Sequence, residues 1–322
     1  MPRLLTLSLA VLCTSATAHA TNARITSLSS NAGFIDDTDF FRYPSTLSDL
    51  PARAQLNYDS GVFDGGFTLD DGQALWFQRH NPTGAEEGFR ALYGKSSGDT
   101  GYLIRATHTP GDFSIGGAWS NGPGRGTLKN FAVDGDLHLL NKLTGDGSDP
   151  KVALQLGVTS RTLTARSLTL WGGSVDLDTV DETLSVSGAY TFGPRFAVSD
   201  ARLALQVGPA LDLTTSTGDG DQPAGLALTL PVANFAGEYL LRDWFRLRGS
   251  VVAAWIGTTD SEELIDNLAW TNAVTGTMGV GFSHNEAQFD MSINPTWALN
   301  GPYLLSGTEN PMFAVLSARV NL

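Results

Sequence analysis

Three polar residues alternate with apolar ones near the middle of the chain: Asp134, Asp136 and His138. Residues two apart on a β-strand project from the same face, so these side chains would share one surface. Carboxylates beside a histidine can activate water for hydrolysis, and a histidine can activate a serine. A strand that lines a wet cavity needs the same residue types. No nucleophile stands at a defined spacing from His138, so we favour a cavity lining over a hydrolytic site.

Metal ligands are not grouped in this sequence. The four histidines after residue 20 are far apart and lack the spacing of a metal site. The acidic runs Asp146–Asp149 and Asp219–Asp221 lack the full ligand set of a calcium loop, and their Asp and Gly content is typical of solvated turns. We therefore expect no cofactor and no enzymatic activity, although calcium could bridge these turns to an anionic lipid.

The elements that position these residues are predicted to be β-strands. After Pro51, apolar and polar residues alternate with period two in segment after segment, separated by short runs rich in Gly, Asp and Asn. The alternation is clearest at 182–193, 274–283 and 287–294. We count about fourteen such segments, between 12 and 16, joined by alternating short and longer links.

This pattern predicts an all-β fold, a transmembrane up-and-down antiparallel β-barrel over residues 52–322 with polar side chains toward its lumen. Residues 81–99 are predicted to be a loop with a short strand at Phe89–Lys95, and residues 258–269 a short helical loop. Tyr102 suits either the lumen or the interfacial girdles that aromatic residues near strand ends indicate. The girdle candidates are Trp76, Tyr102, Trp119, Trp171, Trp244, Trp255, Trp270 and Trp297.

The final segment, residues 312–322, alternates as a strand whose apolar row ends at Leu322. A carboxyl-terminal strand that ends with the chain on a hydrophobic residue resembles the closing strand of bacterial outer-membrane β-barrels, which usually ends in Phe or Trp. The resemblance implies that this strand pairs with the first one and is the signal for the barrel-assembly machinery. The alternative is an edge strand of a soluble β-sandwich.

The first twenty residues are predicted to be a secretory signal peptide. Arg3 precedes an apolar run from Leu4 to Cys13, and Ala18-His19-Ala20 forms a small-residue cleavage site. The apolar run is too short for a membrane-spanning helix. Because Cys13 is the only cysteine, the rest of the chain has no thiolate or disulfide chemistry.

Composition limits the partners. The formal net charge of −13 makes the chain a poor binder of nucleic acid. Only 16% of residues are charged, whereas about a quarter are charged in a typical soluble domain. No mature segment approaches ~18 uninterrupted apolar residues, so no transmembrane helix is expected. We expect the cell outer membrane as the location, with its lipid and lipopolysaccharide as partners.

Residues 21–51 do not alternate and contain Ala23-Arg24, an acidic pair at Asp36-Asp37, and Tyr43-Pro44-Ser45. This segment resembles the amino-terminal segment of the long-chain fatty-acid transporter superfamily of barrels, with Ser29-Ser30 in place of a Gly-Gly turn and Tyr43-Pro44-Ser45 in place of Asn-Pro-Ala. The resemblance implies a plug or hatch inside the barrel, and its secretion-associated members suggest a structural role as an alternative.

Charge and aromatic content predict how such a plug would dock. Its acids and aromatics would pair with arginines that project inward by the parity of their strands, since charge-assisted hydrogen bonds are strong. The alternative is a disordered tail. The residues concerned are Asp36, Asp37, Asp39, Phe40, Phe41 and Tyr43 on the segment, with Arg105, Arg202, Arg246, Arg248 and Arg319 on the wall.

The function predicted from these patterns is passage of small molecules across the outer membrane, hydrophobic ones if the superfamily resemblance extends to substrate. One alternative is a scaffolding barrel that binds a partner protein. A second is a barrel hydrolase that uses Asp134, Asp136 and His138. A substrate is not predictable from sequence, because selectivity depends on the radius of the lumen and on its loops.

Overall fold

The computed structural model describes residues 39–59, 62–80, 88–109, 112–122, 128–140, 151–178, 183–216, 225–259, 269–293 and 313–322. These residues form two short 3₁₀ helices, Asp39–Phe41 and Pro44–Asp49, and sixteen strands. The strands are β1 (Arg53–Asp59), β2 (Val62–Thr68), β3 (Gln73–His80), β4 (Gly88–Ser97), β5 (Thr100–Thr109), β6 (Asp112–Asn121), β7 (Leu128–Leu140), β8 (Lys151–Leu163), β9 (Ser167–Asp178), β10 (Thr183–Val198), β11 (Ala201–Ser216), β12 (Gly225–Arg242), β13 (Phe245–Thr259), β14 (Ala269–His284), β15 (Ala287–Ile293) and β16 (Phe313–Asn321).

The strands form one closed antiparallel barrel in which each pairs with its neighbours in sequence. Closure comes from β1 and β16, which pair from Arg53 with Asn321 to Asp59 with Val315. The Leu322 N–H then donates to the Ala52 carbonyl at 2.9 Å. A closed barrel leaves no sheet edge free, so the all-β closed barrel and the pairing of its last strand with its first agree with the sequence prediction.

The strand count differs from the prediction, because the described residues form sixteen strands rather than about fourteen. The short strand predicted at Phe89–Lys95 is present and is longer than predicted, because β4 runs from Gly88 to Ser97. Its inward row mixes Arg90 and Leu92, both buried, so its two faces do not separate into polar and apolar. Residues 260–268, most of the predicted helical loop, lie outside the described part of the chain.

The two ends of the barrel differ. The end where β1 begins and β16 finishes, called the near end, carries short turns such as 199–200, 243–244 and 285–286. The links at the opposite end, called the far end, fall outside the described residues, as do the acidic runs Asp146–Asp149 and Asp219–Asp221. None of the described helices is long and apolar enough to cross a membrane.

The outer face of the barrel is apolar. Leu56, Phe192 and Trp255 leave more than half of their surface exposed on it. Tyr102 also faces outward, at 42% exposure, which decides its orientation. Trp76 is a correction to the predicted girdle, because it is buried inside the barrel.

The lumen as the candidate functional site

The residues Asp39–Leu50, called here the lumen segment, lie inside the barrel at its near end. Phe40 and Phe41 pack edge-on against Trp76, with ring centroids 5.9 and 5.3 Å away. Edge-to-face contacts add to the hydrophobic effect of burying such rings. The same cluster includes Leu47 and Leu50 from the segment and, from the wall, Trp76, Leu92, Leu103 and Ala118. The apolar inward residues of β3–β6 are therefore partners of the segment.

Glycine lets the segment approach the wall. A Cβ on Gly101 would lie closer to Pro44 and Ser45 than real Cβ contacts allow, and one on Gly94 would come within 2.8 Å of Leu47 Cδ1. Beside this contact, the Ser45 N–H donates to Ser120 Oγ at 2.8 Å, and the Ser120 hydroxyl donates to Ser45 Oγ at 2.9 Å. Close packing against these glycines and hydrogen bonds to Ser120 therefore hold the segment against the wall.

Arg161 on β8 provides the ionic contact to the segment. Its Nη1 donates to Asp39 Oδ2 at 2.8 Å, and its guanidinium carbon lies 4.5 Å from the centre of the Tyr43 ring. The Arg161 side chain is 3% exposed, so the ion pair and the cation–π contact act with little water nearby. A buried guanidinium that loses its carboxylate is strongly destabilising.

The arginine partners predicted from sequence are different ones. Arg105 holds Asp136 through two hydrogen bonds, with Nε 2.6 Å from Oδ1, and lies 3.9 Å from Asp134. Arg248 donates to Glu238 at 2.8 Å and to Asp290. Among the described residues, these two arginines therefore bind carboxylates of the barrel wall, and Asp39 of the segment is bound by Arg161 instead of a predicted arginine.

The remaining predicted residues are distributed over the lumen. Arg246 faces inward near the near end, where Arg319 donates to Gln288. His138 lies on the inward face of β7 with Asp134 and Asp136. Asp36 and Asp37 lie outside the described residues. Within those residues no group of three or more His, Cys, Asp or Glu could hold a metal ion.

Sequence reasoning missed Arg161 because of a strand boundary. Alternation alone does not define where this strand ends, whereas in the structure β8 continues to Leu163 and the chain turns back at 164–166. Leu163 and Leu168 pair across this hairpin and are buried. The position of Arg161 in the alternation could still have placed it on the inward face, because it lies two and four residues from Thr159 and Gly157 on the same strand.

Burial of the inward side chains differs around the described barrel wall. Inward side chains of β1–β6 such as Asn57, Thr68 and Ser120 are fully buried. In the far half of β9–β11 Ala210 is buried, but the polar inward residues remain partly exposed: Ser174, Asp176, Ser185, Ser187, Asp212 and Thr214. The far half of the lumen therefore contains a polar vestibule lined by small side chains.

Buried inward residues lie between the vestibule and the near end. They include Thr191, Ala204 and Ala236, and the lumen segment covers β3–β6. Arg195 and Arg202 remain accessible on the inward face of β10 and β11. The near half of the lumen therefore combines buried positions beside the lumen segment with two accessible arginines.

Among the solved structures that this chain resembles at a distance are two with 10% sequence identity. One is a bacterial polysaccharide outer membrane secretin, with 10% identity, 84% of this chain and 98% of that chain covered, and a TM-score of 0.44. The other is BamA from Haemophilus ducreyi lacking POTRA domains 1-3, with 10% identity, 84% and 69% coverage, and a TM-score of 0.35. No protein-family model matches the sequence, and no curated protein matches it. Neither likeness assigns an activity to this chain.

The docking of the segment generates a first prediction. Arg161→Gln removes the cation that Asp39 and Tyr43 contact, at a cost of about 3 kcal/mol, the lower end for a broken buried pair because Asp39 keeps some water contact. We expect chymotrypsin to cleave at Phe40, Phe41 or Tyr43 faster in the folded variant. The matched control is Arg166→Gln, in the exposed turn of the same hairpin. Equal cleavage rates in the two variants would show that Arg161 does not hold the segment.

Proposed function

We propose that this protein is an outer-membrane channel that admits small polar solutes through the vestibule and limits their passage with the lumen segment. The observation that carries the proposal is the unequal filling of the lumen, in which Ser174 and Ser187 stay accessible while the opposite wall is packed. A lining of serine, threonine and aspartate favours polar solutes over the hydrophobic ones that the superfamily resemblance implies.

Aromatic residues on the outer face support placement in a membrane. Near-end contacts join Trp119 to Phe131, and Phe131 to Trp171, each with ring centroids 6.5 Å apart. Far-end contacts include Tyr58 with Phe63 at 4.9 Å, and exposed Trp255 lies toward the same end. Two aromatic girdles flanking an apolar band are typical of membrane barrels.

The spacing of the girdles supports the same placement. On β13, Phe245 and Trp255 stand ten residues apart. Ten residues span about 33 Å along a strand, and a tilt of about 40° reduces this to about 25 Å along the barrel axis. The apolar band of outer-membrane barrels is about 25 Å tall. In such barrels the short turns face the periplasm, which would place the near end there.

Membrane placement generates a prediction on two adjacent valines of β13. Val251 is 50% exposed on the outer face, and Val252 shares the inward face of Arg248 and Ser250. Val251→Arg places a charge near the middle of the apolar band, at a cost of about 2–4 kcal/mol. We expect it to reduce the heat-modifiable folded fraction after refolding into lipid vesicles.

The control is Val252→Arg, which adds the same side chain one residue along the strand toward the lumen. We expect this variant to refold better than Val251→Arg. Equal losses in the two variants would contradict the assignment of the outer face to lipid.

The channel itself is tested at the lumen segment. Replacing Phe40 and Phe41 together by alanine removes two buried rings that pack the segment against Trp76. Because this loosens the segment that we propose limits passage, we expect single-channel conductance to rise by roughly two-fold or more. The matched control replaces two outward aromatics of β10, Phe192 and Phe196, by alanine. Unchanged conductance in the Phe40/Phe41 variant, or no conductance in the unmodified protein, would contradict the proposed function.

A further inference from the structure

Acidic side chains face the far half of the lumen. Asp176 and Asp178 lie two residues apart on the inward face of β9, whereas their chain neighbours Val175 and Leu177 face outward. Asp134 pairs in register with Gly157, and Asp212 with Ser187, which extends the same face over β7 and β11. These carboxylates remain partly exposed, so their charge acts on the water of the vestibule.

Basic side chains face the near half of the same wall. Arg195 on β10 and Arg202 on β11 point inward and remain accessible. Arg195 pairs in register with Ala204, which is buried inside the barrel, and its Nη1 donates to the Thr164 carbonyl at 2.8 Å. A carbonyl oxygen leaves the positive charge of the guanidinium in place.

Other near-end acids are in ion pairs or on exposed turns, and the inward Arg246 and Arg319 add positive charge that offsets the one carboxylate in excess around Arg248. Glu238 and Asp290 are both engaged by Arg248, and Asp39 is engaged by Arg161. Asp200 and Asp243 are exposed on turns, where water and salt screen them. In the far half, Arg105 is likewise engaged by Asp136. The water-facing charge of β9–β11 is therefore negative toward the far end and positive toward the near end.

The two groups of charge are far enough apart to act independently. Arg202 and Asp212 share the inward face of β11 and are ten residues apart. That spacing is about 33 Å along the strand and about 25 Å along the barrel axis. The Debye length at 0.1 M salt is about 10 Å, so each half of the lumen holds its own counterions. The far half concentrates cations and the near half concentrates anions.

We propose that the lumen is an axially polarised pore that conducts ions better under one sign of voltage than under the other. When the far side is positive, cations enter through the acidic half and anions through the basic half, so both accumulate in the lumen and conductance is high. When the far side is negative, each half loses its mobile ions and cannot be refilled from the opposite half, so conductance falls. This inference rests on the proposed channel function and adds a preferred direction of ion current.

The test is a current–voltage curve of single channels formed by the full chain in planar bilayers with potassium chloride. At about 0.1 M salt we expect currents at opposite voltages of equal size to differ by roughly two-fold. At about 1 M salt, where the Debye length is about 3 Å, the ratio should approach one. If the channel conducts but its current–voltage curve is linear at the lower salt concentration, the proposed axial polarity is wrong and the proposed channel function is not affected.

The matched variant exchanges one basic and one acidic residue on the same strand. Arg202→Asp combined with Asp212→Arg keeps the net charge and reverses both ends of β11, so the current ratio should move toward one or invert. Asp200→Asn, in the turn just before β11, should keep the ratio of the unmodified protein. An unchanged ratio in the exchanged variant would overturn the proposal. Absence of any conductance in the unmodified protein would contradict the channel function, and the polarity proposal would fall with it.

Discussion

The width of the barrel is the constraint on which the rest of the structure depends. Eight strands enclose a space that inward side chains can fill, whereas sixteen leave an aqueous channel unless something else enters. This chain closes sixteen described strands and places the lumen segment against β3–β6. The segment fills one side at the near end, and the far half of β9–β11 keeps accessible side chains. Unequal filling follows from a wall that is too wide for its own side chains and a segment too small to occupy the whole lumen.

Three buried arginines connect parts of the chain that are distant in sequence. Arg161 joins β8 to the lumen segment, Arg105 joins β5 to β7, and Arg248 joins β12, β13 and β15. Removing one partner of a buried pair leaves an unpaired charge in a medium of low dielectric constant, which costs more than the pair itself contributes. These contacts therefore specify the register between wall and lumen as much as they add stability.

Alternation was sufficient to predict the class of fold, the closing strand and the outward rows, because lipid and water select opposite residue types on opposite faces. Alternation failed where inward side chains contact the lumen segment instead of water. Trp76, Leu92 and Leu103 point inward against the lumen segment, and an apolar inward residue is indistinguishable in sequence from an apolar outward one. For that reason Trp76 was predicted to be in a girdle, and β4 was predicted only as the shorter strand Phe89–Lys95. Arg161 was missed because a strand end is poorly defined by periodicity alone.

Asp39–Leu50 packs against β3–β6 while the far half of β9–β11 keeps side chains accessible to water, and thiol labelling tests this contrast most directly. Ser120→Cys and Ser187→Cys place thiols on the inward faces of β6 and β10, one beneath the lumen segment and one in the vestibule. A water-soluble thiol reagent should modify the folded Ser187→Cys protein rapidly and leave the folded Ser120→Cys protein unmodified until it is denatured. Equal labelling of the two folded proteins would contradict the account.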